Sequence, residues 1–154
     1  MFRFQLHARI ILPAVLAALS LEPSWGVADT DKGGREAAVT LATVMGEFGG
    51  LHRALRKKVK DPNAVAVSLD LVRGMQGLAA KSLMLAPSMT STLRVEEKAS
   101  FLLGYKRQMV KLIGGLLDLE DALLQNDTGR AHECYRRLSK VKSDGHNKFQ
   151  LRDN

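Results

Sequence analysis

Leu102, Tyr105, Met109, Leu112, Leu116, Leu119 and Leu123 recur at alternating steps of three and four. The run lasts roughly six helical turns, and only an α-helix places all seven side chains on one side. A stripe this regular is the mark of helix-bundle packing. It predicts a long helix from Val95 to about Gln125, with Gly114 and Gly115 inside an otherwise unbroken seam. A single helix cannot bury such a stripe alone, so partners must come from the rest of the chain.

Three more helical patterns supply them. Leu41, Met45, Phe48, Leu51, Leu55 and Val59 predict a first helix over about Arg35 to Lys60. Its last turns carry Arg53, Arg56, Lys57, Lys58 and Lys60, cations that suit a helix C-terminus. Asp61-Pro62 is a stop and restart, with Asp61 an N-cap and Pro62 at the first helical position. The second helix runs to about Ala86 through Val65, Leu69, Val72, Gln76, Ala79 and Leu83. Gly74 and Gly77 weaken it by roughly 1 kcal/mol each relative to alanine, and close helix approach would be a reason for them. Residues 87–94 form the longest connection. Asn126 to Gly129 makes a tight turn, and a fourth helix follows from Gly129 to about Leu151, with Ala131, Cys134, Tyr135, Leu138, Val141 and Phe149 inward. No strand pattern occurs. The expected fold is all-α, an antiparallel up-down-up-down four-helix bundle.

Residues 1–28 stand apart from this pattern. Arg3 and Arg9 precede an apolar run from Ile10 to Leu21, and Gly26-Val27-Ala28 offers small residues at a cleavage site. The run is too short to span a bilayer and reads as a secretory signal peptide cut after Ala28. Residues 29–154 are then the single exported domain, without a membrane span and expected in the periplasm. Net charge is +7, spread along every helix. No aromatic-rich or recognition motif accompanies it, which argues against nucleic acid; the surface reads either as a solvated exterior or as one that meets acidic redox partners. Cys134 is the only cysteine, so neither an internal disulfide nor a Cys-x-x-Cys-His haem attachment is available.

Aromatics make up only 5% of the chain, and the polar exceptions on the inward stripes are few. Among the inward-facing residues that can bind metal, Met45 and His146 fall at one level. Met45 lies about 22 Å from the end of the first helix, and His146 about 25 Å into the last, at 1.5 Å per residue. In an up-down bundle these helices are neighbours, so thioether and imidazole share a level and could act as an axial pair for haem iron. Phe48, Phe101 and Tyr105 could contribute apolar walls.

The same residues carry a resemblance. Met45 on the first helix, Phe101-Leu102-Leu103-Gly104-Tyr105 at the start of the third and Gly145-His146-Asn147-Lys148-Phe149 at the close of the last resemble, in order and spacing, the soluble cytochrome b562 family. The resemblance covers nearly all of residues 29–154. It implies one non-covalent haem b, with Met45 and His146 as axial ligands and Phe101, Gly104 and Tyr105 packed near it. An arginine that the family's type member carries one turn before the ligand histidine is Lys142 here, and Gln150 stands one turn after it.

The implied function is periplasmic electron transfer by a monomer. The other reading is a haem-free helical bundle that serves as a binding or stress-response module. A divalent-metal site of His52, His132 and His146 lacks ligand spacing on any one helix. Nothing marks an enzyme: the glycine pairs lie within helices, and no nucleophile has an adjacent base.

Overall fold

The computed structural model describes residues 39–150. The signal-peptide segment, the flexible lead after it, the expected helix start at Arg35 and the expected end at Leu151 lie outside the described residues. Within them the chain is all-helical, with four α-helices and no strand.

Helix α1 spans Leu41–Arg56, and its first turn is closed by Thr40, whose hydroxyl accepts from Thr43 N at 3.2 Å. It ends four residues before the expected Lys60. Residues 57–60 turn instead, with Asp61 N donating to Lys58 O at 2.9 Å, as Pro62 cannot continue a helical ladder. Val59 remains buried within this turn, so the apolar stripe outlasts the helix. Asp61 caps as expected, its Oδ1 accepting from Asn63 N at 2.9 Å, but a 3-10 turn over Pro62–Ala64 precedes helix α2, Val65–Ser82.

Helix α2 buries a face rotated from the expected one. Ser68, Val72, Met75, Ala79 and Ser82 point inward, while Leu69, Gln76 and Leu83 are half-buried. Gln76 is drawn sideways, donating to Glu120 Oε2 at 2.7 Å next to the Arg73–Glu120 ion pair at 2.9 Å. Those bonds hold Glu120 below the usual carboxylate range. Small inward residues also let the helices approach. A Cβ on Gly74 would come within 3.0 Å of Leu51 Cδ1, whereas one on Gly77 would meet nothing. Close packing therefore accounts for Gly74 alone.

After Pro87 a 3-10 turn over Ser88–Thr92 leads to helix α3, Val95–Leu124. Glu97 reaches back to accept from Arg94 N at 3.3 Å. Helix α3 buries Tyr105, Met109, Leu112, Leu116, Leu119 and Leu123 as its spacing predicts. Asn126 adopts φ 54°, a left-handed conformation that asparagine tolerates, and Asp127 Oδ1 accepts from Arg130 N at 2.9 Å to start helix α4, Thr128–Phe149.

Close backbone contacts join α1 to α2, α2 to α3, and α3 to α4. One core runs through all four helices, from Phe48 and Leu55 through Val72, Met75, Leu116 and Leu119 to Cys134 and Leu138. No described helix is long and apolar enough to cross a membrane.

Candidate functional site

The core does not fill the bundle along its whole length. A cavity of about 630 Å³ opens between α1, α3 and α4, with residues 85–88 of the α2–α3 connection across it. A site of this size lies within the range that takes a cofactor-sized ligand. Leu41, Met45, Met109, Leu112, Val141 and Phe149 give it apolar walls. Among the described residues in its lining, Lys142 is the one lysine or arginine, and no carboxylate is present. Such a lining suits a mostly apolar ligand with a peripheral negative charge.

Met45, Tyr105, Lys142 and His146 are brought together around this cavity. Phe48 and Phe101 are not. Phe48 is fully enclosed in the core behind Met45. Phe101 lies edge-on to Phe149, centroids 5.3 Å apart, beside a separate surface depression with Gly104 and Lys148. Sequence reasoning missed Gln108, Met109, Leu112, Phe149 and the connection at 85–88. Gln108 was legible only as a surface residue of α3, yet its Nε2 donates to Val141 O at 2.7 Å and ties α3 to α4 at the cavity wall.

The orientation of the donors follows from their partners. His146 Nδ1 is hydrogen-bonded to Gln150 Oε1. An amide oxygen can only accept, so Nδ1 carries a proton, and the neutral tautomer this selects is the one with its lone pair on Nε2. Met45 Sδ lies 3.5 Å from Ser82 Oγ, but that hydroxyl donates its one proton to Leu78 O at 2.8 Å. The sulfur is left with lone pairs that no strong bond engages. Tyr105 O–H donates to Ser82 O at 2.8 Å, and burial pushes the phenol up to about 12, so it stays a neutral donor.

Two turns further along α1, and two to three turns back along α4, a polar bridge joins the two helices. The His52 and Tyr135 rings stack with centroids 4.7 Å apart. His52 Nε2 is 3.0 Å from Ser139 Oγ, whose own proton goes to Tyr135 O at 2.9 Å. Nε2 must therefore be the protonated nitrogen, and Nδ1 faces the Tyr135 hydroxyl at 3.4 Å. Burial, then Lys142, Arg56 and Arg53, lower His52 to about 4. At neutral pH it is an uncharged link between the first and last helices. His146 lines the cavity and His52 does not, and no group of three His, Cys, Asp or Glu is placed to hold a metal ion among the described residues.

Comparisons with protein-family models, with curated proteins and with solved structures give no match to this chain. The family resemblance accordingly rests on the chain's own residues.

Proposed function

We propose that this chain is an exported electron-transfer protein of cytochrome b562 type, an up-down-up-down bundle that holds one non-covalent haem b in the periplasm. The observation that carries the proposal is the convergence of Met45 and His146 on one apolar cavity of suitable volume. The donor set fits the group. Gln150 fixes the imidazole tautomer that leaves Nε2 free for iron, the role that outer partners of ligating histidines play. Lys142 would face a propionate carboxylate as a point charge. Met109, Leu112 and Phe149 would exclude water from the ring. Bound there, haem supplies a one-electron couple, and methionine–histidine ligation biases it towards high potential. The basic surface would steer the protein to acidic redox partners, with a rate that falls as salt rises.

The test is the visible spectrum of protein from cells expressing the full-length chain, with haemin added to one equivalent. Sharp low-spin bands on reduction are expected, and either Met45→Ala or His146→Ala should abolish them. A spectrum identical to free haemin, from a chain with intact helical circular dichroism, would overturn the proposal.

The second reading, a haem-free binding or stress-response module, is favoured by one observation. The cavity lining is apolar with Lys142 as its one lysine or arginine among the described residues, which suits an apolar anion whether or not it carries a metal. On this reading the same cavity binds another apolar anion, and Lys142→Ala weakens that binding while Met45→Ala leaves it intact.

A further inference from the structure

The side of α3 turned away from the core carries a second, outward stripe. Leu103, Val110, Leu117 and Leu124 are each 50–60% exposed. They repeat every seven residues over nearly the whole helix, the period of a coiled-coil seam rather than of a solvated face. Arg107, Gly114 and Asp121 fall between them at alternating steps of four and three. The seam is about 32 Å long at 1.5 Å per residue. Neighbouring helices leave it uncovered: α2 meets α3 at Glu120, and α4 meets it at Gly104, Gln108 and Gly115.

The charges along the seam are divided. Lys106, Arg107 and Lys111 flank its first half, and Asp118 and Asp121 its second. Opposite charges at opposite ends make the face complementary to itself only when turned end for end. A twofold axis beside Gly114 sets Leu103 against Leu124 of the second copy and Val110 against its Leu117. The same axis sets Lys111 against Asp118, and brings Arg107 towards Asp121, which already pairs with Arg130 of its own chain at 2.7 Å. Gly114 falls on the axis, where a Cβ would meet nothing of its own chain and two backbones can come close. Parallel pairing would instead stack like charges and oppose association.

We infer that the outer face of α3 is a homodimer interface, in which two copies pair antiparallel about Gly114. The cavity lies on the other side of α3, at Tyr105, Met109 and Leu112, so dimerisation and ligand binding are separate properties. This departs from the monomer that the sequence resemblance implies.

Sedimentation velocity on protein from cells expressing the full-length chain, over a concentration series at low and high salt, tests the inference. A reversible dimer is expected that weakens with salt. Leu117→Glu should raise its dissociation constant by on the order of tenfold or more with unchanged helical circular dichroism. Neither Lys111 nor Asp118 makes an ion pair among the described residues, so they are suited to charge reversal. Lys111→Asp alone should weaken the dimer, and Lys111→Asp with Asp118→Lys should restore it. A monomer at every concentration would overturn the inference. So would a dimer indifferent to Leu117→Glu, or one that forms only after removal of the residues preceding Val39, which would make those residues the occupant of the face.

Discussion

The two ends of the bundle are built from the same four helices and differ in what fills them. At one end Leu55, Val59, Val72, Leu119, Leu123, Ala131, Cys134 and Leu138 are wholly or almost wholly buried, and none of them lines the cavity. At the other, Met45, Lys142 and His146 are only half-buried and surround a cavity, with a loop rather than a helix as part of its wall. The His52–Ser139–Tyr135 bridge stands between the two regimes. The division teaches that stability and binding are carried by separate lengths of the same helices. The closed end holds the backbone so that donors at the open end can stay underpacked.

The contrast can be broken most forcefully in the core. Leu119→Ala in the closed end should cost about 2–5 kcal/mol, because the surrounding helices cannot collapse onto the space. Met45→Ala at the open end should cost only about 1 kcal/mol in the ligand-free protein, since its side chain is only partly buried and borders the cavity. Urea denaturation of both variants checks the pair; equal losses would erase the distinction between the ends.

The bridge gives a smaller, pH-dependent effect. His52 takes up a proton near its ordinary value when unfolded but only near about 4 when folded. The unfolded chain binds more protons in that window, so stability should fall as pH drops from about 6.5 through about 4 and be level above it. Allowing for partial exposure of the ring, the loss should be on the order of 1–2 kcal/mol. Melting curves of the wild type and His52→Asn between pH 7 and 4 should converge as the pH falls. The smallest effect belongs to the boundary of the closed end. Asp127→Ala removes the cap on α4 and should lower stability by about 1 kcal/mol, leaving the cavity unchanged.

Much of the fold could be read from periodicity. The stripe on α3 is legible because Leu, Met and Tyr at steps of three and four leave one solution, and the stops at Pro62, Pro87 and Asn126 are local chemistry. Helix α2 was less legible. Its inward face is made of Ser68, Ala79 and Ser82, small residues that hydropathy does not select, while Leu69 and Leu83 sit off to the side. At the site, Met45 and His146 were visible as donors on facing stripes. Phe48 and Phe101 show the limit of that reasoning: periodicity places a ring on a face but not on a particular side of a neighbour. Gln108 gave no signal because its role comes from geometry across helices, whereas Gln150 stands one turn after His146 at the end of the same helix and its place there was legible.

The bridge also bears on the order in which the molecule assembles. Contacts of α1 with α2, α2 with α3 and α3 with α4 join neighbours along the chain, an arrangement that favours rapid folding. His52 and Ser139 are 87 residues apart, and the closure of this loop spans the greatest separation of any hydrogen bond among the described residues. Three helical hairpins can form before that closure, but the cavity has both of its donor walls only after it. Competence to bind would thus arrive with the last and most non-local event of folding, so a nascent chain would complete its scaffold before it could capture a ligand.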